Sequence, residues 1–117
     1  MQAGARLRKR AEFQRVYAEG VKVAGRHIVV FALVHENEEN RLGITATRRV
    51  GPAVVHNRAR RRVRELFRHA TCLPDAYRVD IVVNVRSSCA VAPWNELEGD
   101  FAECLRKISR RLGRREC

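Results

Sequence analysis

Residues 48–68, RRVGPAVVHNRARRRVRELFR, hold eight arginines and a single acid, Glu65. This stretch constrains the fold more than any other. Pro52 sits where a first helical turn would begin, and a helix is predicted from about residue 52 to residue 69. At about 100° per residue, Val55, Ala59, Val63, Leu66 and Phe67 fall on an arc of about 120°, the width of a face that packs on a sheet. Asn57, Arg58, Arg60, Arg61, Arg62, Arg64 and Arg68 fill the rest of the wheel. The bland reading of a charge run is a solvated face, but such a face mixes signs at i, i+4 to limit repulsion. Here most (i, i+3) and (i, i+4) pairs set Arg against Arg, each costing a few tenths of a kcal/mol. A face that repels itself calls for an anion to discharge it.

The flanking segments supply the rest of a core. Residues 9–19 read as a short helix with Phe13, Val16 and Tyr17 on one face. Gly20 suits the C′ position, where a left-handed residue commonly closes a helix. Residues 21–24 suit a brief strand. Residues 27–35 are rich in β-branched and aromatic side chains (Ile28, Val29, Val30, Phe31, Val34) and read as a strand. A polar turn at 36–40 leads to a half-buried strand at 41–47, where Leu42, Ile44 and Ala46 alternate with Arg41, Gly43 and Thr45. A loop carrying Pro74 spans 72–77, and 78–85 is the near-continuous apolar run of an interior strand. After a loop at 87–92, Pro93 opens a last helix with the seam Trp94, Leu97, Phe101, Leu105, Ile108 and Leu112. Its acids Glu96, Glu98 and Asp100 come early and Arg106, Lys107, Arg110 and Arg111 late, as the macrodipole favours. The order helix, two or three strands, helix, strand, helix is that of a small α+β sandwich. The chain has 117 residues, no repeat and no hinge. One domain over 1–117 is expected, with basic, frayed tails at 1–8 and 113–117.

Composition narrows the function. Lys and Arg number 24 against 13 Asp and Glu, a net charge of +11, which favours a polyanionic partner over a cationic ligand. All the cations but Lys9, Lys22 and Lys107 are Arg, whose planar fork grips phosphate with two bonds. Heavy use of Arg codons would also raise Arg over Lys, but it does not explain the charge. About six phosphate contacts would give a slope of log K against log salt near −4 to −5. Asn57, with a donor and an acceptor, suits a base edge or a 2′-hydroxyl, and equally a capping role near the helix start. His56 falls on the apolar side of the wheel and reads as a half-buried packing residue.

No run approaches the roughly 20 apolar residues of a membrane span. The basic start leads into no signal core, so a cytoplasmic location is expected. Cys72, Cys89, Cys104 and Cys117 are too far apart for zinc couples, and reduced thiols are expected, with Cys104 in a core. The carboxylates form no metal set, and no Ser-His-Asp or Cys-His constellation is legible. The polypeptide reads as a binder with no catalytic residue and no metal site of its own. Phe13, Tyr17 and Phe31, edged by Arg15 and Arg26, suit a groove where single-stranded bases stack, or else a core.

Several blocks together resemble the bacterial ribonuclease P protein subunit. They are Arg6-Leu7, EFQRVYAEG (12–20), GRHIVVFAL (25–33), RLGITATRRVG (41–51) and AVVHNRARRRVRELFR (53–68). The last contains a counterpart of the family's "RNR" signature followed by a basic helix. The resemblance implies an α-β-β-β-α-β-α two-layer sandwich of the ribosomal protein S5 domain 2-like class, with a left-handed βαβ crossover against the general right-handed rule. It implies a holoenzyme in which one protein joins a catalytic RNA and precursor tRNA. That holoenzyme removes the 5′ leader with Mg²⁺ held mainly by the RNA and substrate. It assigns Arg48, Arg49, Asn57, Arg58, Arg60, Arg61, Arg62, Arg64 and Arg68 to the catalytic RNA. It assigns Phe13, Tyr17 and Phe31, with Arg15 and Arg26, to a leader-binding cleft. Two positions depart from the family: His56 replaces the first signature Arg, and Arg62 stands where an apolar residue is common. Other readings are a ribosomal or chaperone-like RNA-binding protein and a DNA-binding module. Major-groove reading would want more polar variety than this Arg face offers.

Overall fold

The computed structural model describes residues 5–35, 39–70 and 78–112. Its elements are β1 (Ala5–Arg6), α1 (Arg10–Glu19), β2 (Val21–Ala24), β3 (Ile28–His35), β4 (Arg41–Thr45), α2 (Ala53–Arg68), β5 (Arg78–Val85) and α3 (Trp94–Arg111). Short 3₁₀ turns at Arg48–Val50 and Ser87–Ala90 precede α2 and α3. From α1 onward the order is the expected α-β-β-β-α-β-α. The start differs: Ala5–Arg6, expected within a frayed tail, pair parallel with Arg41–Leu42. Leu7 donates its amide to the Leu42 carbonyl at 3.0 Å, and its side chain is buried. A single apolar residue between arginines was too weak a signal for a strand. The expected turn at 36–40 lies outside the described residues over 36–38. So do the loop at 72–77 with Cys72, and the end from 113 with Cys117.

The strands form one sheet in the order β1-β4-β5-β3-β2. β5 is central, antiparallel to β3 and parallel to β4. Its apolar run follows from burial on both faces: Val79, Ile81, Val82, Val83 and Val85 are all buried. Parallel neighbours need a crossover, and α2 supplies it between β4 and β5. One sheet face, with Ile28, Val30, Ala32, Ile81 and Val83, packs against Ala59, Val63, Leu66 and Phe67 of α2 and Leu97, Phe101, Cys104, Leu105 and Ile108 of α3. Cys104 is in that core as expected, and burial pushes its thiol and that of Cys89 up to about 11.

The opposite face, with Phe31, Leu33 and Val82, meets Leu7, Phe13 and Val16 around α1. Close approach explains two glycines there. A Cβ on Gly43 would lie 2.6 Å from the Phe13 ring, so the ring occupies the space the missing side chain leaves. Gly20 is extended (φ −84°, ψ 170°), not left-handed as expected. It is small because the Ala32 and Val16 carbonyl oxygens would each lie 2.6 Å from a Cβ.

Candidate nucleic-acid interface

On α2 the burial of Ala59, Val63, Leu66 and Phe67 fixes which side faces outward. Asn57, Arg58, Arg61 and Arg68 are exposed there, and Arg49 is exposed in the preceding turn. Arg49, Arg58, Arg60, Arg61 and Arg64 make no hydrogen bond or ion pair among the described residues. Pro52 holds the helix start, so Asn57 sits a turn inside and caps nothing, leaving its amide outward. His56 is half-buried as expected, and its Nε2 has no partner among the described residues. The Arg48 side chain lies outside the described set.

Two arginines of the basic helix are engaged by the protein. Arg68 pairs with Glu65 at 2.5 Å, and Glu65 also contacts His69 at 2.8 Å. The Arg68 bond first, then that to His69, hold the Glu65 carboxyl below its ordinary range. Arg62 is the clear departure from expectation. Its guanidinium donates to the Cys89 carbonyl at 2.8 Å and the Ala92 carbonyl at 2.6 Å. It also lies 5.6 Å from the Trp94 ring centroid. Arg62 therefore tethers the turn before α3 and is not part of the free cationic face; it stands on the flank of the helix, where a wheel cannot separate an anchor from a ligand contact. Arg62→Met is expected to cost about 2 kcal/mol of stability by removing two charge-assisted bonds. A thermal melt measures this, and the salt slope of RNA binding should stay unchanged.

Arg6, Arg60 and Arg64 converge around a cavity of about 140 Å³ at the β4 edge, lined also by Leu7, Phe13, Leu42, Gly43 and Ile44. Desolvation, then the charges of Arg6 and Arg60, lower the Arg64 pKa. Like charges held this close form a ready anion seat. In the sequence Arg6 lies within an expected basic tail, with no pattern that ties it to the helix.

The aromatic groove lies on the α1 face. Tyr17 and Phe31 meet edge to face at 4.8 Å, and Lys22 sits 5.8 Å from the Phe31 centroid. Tyr17 is 38% exposed and Phe31 is half-buried, so neither is simply core. Phe13 both seats α1 on Gly43 and lines the arginine cavity. The Tyr17 hydroxyl donates to Asn84 Oδ1 at 2.9 Å, and Thr45 donates to the same oxygen. Arg15 is exposed beside Glu19 at 3.7 Å. Arg26 is not in this groove: its guanidinium pairs with Glu96 of α3 at 3.1 Å, behind the sheet. The cation beside the aromatics is Lys22, the cross-strand partner of Phe31. The alternation in 21–24 carried that signal, but the pairing register did not show in the sequence. Thr45 and Asn84 were missed for the same reason.

The described carboxylates do not gather into a set that fits Mg²⁺. Glu12 and Asp80 clasp Arg41. Asp100 accepts the amides of Arg26 and His27 at 2.9 Å each, and Glu96 contacts both side chains. No helix among the described residues is long and apolar enough to cross a membrane.

A free Arg face on one side and an aromatic groove with a cationic edge on the other define a small basic α+β protein of the polyanion-binding class. A family profile described as Ribonuclease P matches residues 1–109. The chain belongs to the ribonuclease P protein family. It is 40% identical over 103 residues to the ribonuclease P protein component of Gluconacetobacter diazotrophicus, covering 87% of this chain and 89% of that protein. Its identity to the Coxiella burnetii component is 38% over 112 residues, 95% and 88% of the two chains. The solved RNase P protein from Thermotoga maritima matches with a TM-score of 0.76 at 29% identity, over 88% of this chain and 96% of that one. The Staphylococcus aureus RNase P protein gives 0.71 at 28%, over 96% and 97%. Membership makes the chain a protein component of the ribonuclease of tRNA 5′ processing, and so a partner of its RNA subunit.

Proposed function

We propose that this chain docks on the catalytic RNA through Arg48, Arg49, Asn57, Arg58, Arg60, Arg61, Arg64 and Arg68, and holds the 5′ leader of precursor tRNA against Phe13, Tyr17, Phe31 and Lys22. One protein serves one RNA in the cytoplasm, and the leader is cleaved with Mg²⁺ bound by RNA and substrate. The observation that carries the reading is the set of α2 guanidinium groups, Arg58, Arg60, Arg61 and Arg64, that have no hydrogen bond or ion pair among the described residues. Phosphates would discharge it and release counterions. The cluster of Arg6, Arg60 and Arg64 reaches Phe13, so the same helix borders both surfaces. The protein contributes charge, position and a stacking surface.

Reconstitution with the catalytic RNA tests this: 5′ cleavage of precursor tRNA at low Mg²⁺ should be strongly stimulated, and no stimulation would favour a ribosomal or chaperone-like role. Phe31→Ala should weaken binding of leader-bearing tRNA about tenfold by removing a stacking surface, with affinity for the catalytic RNA retained. Equal loss of both in filter-binding titrations would make Phe31 a packing residue only.

A further inference from the structure

The groove contains one polar group whose hydrogen bonding is half complete. Asn84 stands on β5, across from Thr45 on β4 and Val29 on β3. Its amide oxygen accepts from the Tyr17 hydroxyl at 2.9 Å and from Thr45, and the two hydroxyl oxygens are 3.4 Å apart. A phenol is a better donor than acceptor, which fixes the amide oxygen toward Tyr17. A carbonyl oxygen has two lone pairs, and both are taken. The amide nitrogen has no hydrogen bond among the described residues, and Val29 on its other flank has no side-chain acceptor. Phe31 is the cross-strand partner of Val82, two residues along β5 from Asn84. Phe31 and Asn84 are therefore diagonal neighbours on one sheet face, about 7–8 Å apart, and a base stacked on the Tyr17–Phe31 pair would lie beside the Asn84 amide.

We propose that Asn84 is a specificity-determining residue that donates from its amide nitrogen to O6 of guanine or O4 of uracil on one leader base, the position where adenine and cytosine carry an amine, and so selects guanine or uracil over adenine or cytosine. The inference rests on the leader-groove reading above. A free Asn pairs with adenine by giving one hydrogen bond and accepting another. Here the accepting half is occupied, so the exocyclic amine of adenine or cytosine would face a second donor. Guanine O6 and uracil O4 accept instead. Tyr17 and Thr45 act as positioning residues that hold the amide in this orientation.

The test uses the reconstituted holoenzyme and precursor tRNAs in which each leader nucleotide is varied in turn, with kcat/KM as the readout. The wild type is expected to favour G or U over A or C about tenfold at one leader position. Asn84→Ala should level that preference to within about twofold. Asn84→Asp keeps both hydroxyl bonds and presents an acceptor in place of the donor, so it should turn the preference toward A or C; it also carries the test if the alanine variant fails to fold. Absence of a keto preference in the wild type, or its persistence in Asn84→Ala, overturns the assignment. The parent reading fails separately. If leader-bearing and leaderless tRNA bind the wild-type holoenzyme equally, both proposals fall. If the leader matters and Phe31→Ala weakens it while the Asn84 variants leave base preference unchanged, only the assignment of Asn84 falls.

Discussion

Arg41→Ala is expected to lower the unfolding free energy by about 3 kcal/mol. Arg41 donates to both carboxylate oxygens of Asp80 at 2.7 and 2.6 Å, and to Glu12 at 2.9 Å. Only 7% of the Asp80 side chain is exposed, so losing its bidentate partner costs more than breaking a surface ion pair would. Asp80 hydrogen bonding is also the largest influence raising the Arg41 pKa. Glu12 ties the pair to the start of α1, where its other oxygen accepts the Arg8 and Lys9 amides at 3.1 and 3.0 Å. The Lys9 amide above all, then that of Arg8, lower the Glu12 pKa. Its contribution is therefore present above the pH at which an unfolded glutamate titrates and is lost as pH falls through the lower folded value. Urea unfolding at neutral pH measures the Arg41 effect. The double variant Arg41→Met with Asp80→Leu should recover part of the loss, because the buried carboxylate goes with its partner while Glu12 keeps the Arg8 and Lys9 amides. Equal destabilisation by the single and double variants would place the energy in packing of the Arg41 stem.

Replacing Arg49, Arg58 and Arg61 together by alanine should have the largest effect on binding. Each exposed guanidinium that meets a phosphate contributes about 0.7–0.9 to the salt slope. The triple variant should flatten log K against log salt by about two to three units and weaken catalytic-RNA affinity about 10²-fold near 150 mM salt. Thermal stability should change little or rise slightly, because the lost side chains have no described protein partner and repel their neighbours. An unchanged slope would place the RNA elsewhere on the protein.

Local chemistry made most elements legible. Residues 21–24 and 78–85 are strands with the expected bounds, and α2 is one residue shorter at each end than the periodicity predicts. The buried set Ala59, Val63, Leu66 and Phe67 lies within the predicted arc, because a helix wheel needs no knowledge of neighbours. What stayed hidden depends on register across the sheet. Lys22 beside Phe31, Asn84 beside Thr45 and Arg41 beside Asp80 are separated by 9, 39 and 39 residues. No local pattern distinguishes a groove floor from a second buried strand face. Arg26 and Arg62 look like ligand-facing cations for the converse reason: charge shows in a sequence, but the carboxylate or carbonyl that occupies it does not.

The pairing of Ala5–Arg6 with β4 puts β1 at one margin of the sheet. The last turn of α3 lies at the other, where Arg111 donates to the Lys22 carbonyl at 2.8 Å. A bulky fluorophore or affinity handle attached at β1 would crowd the Arg6, Arg60 and Arg64 side chains. One attached at Arg110, exposed on the last turn of α3, would sit across the molecule from them, which makes that turn the safer place for a reporter of holoenzyme assembly.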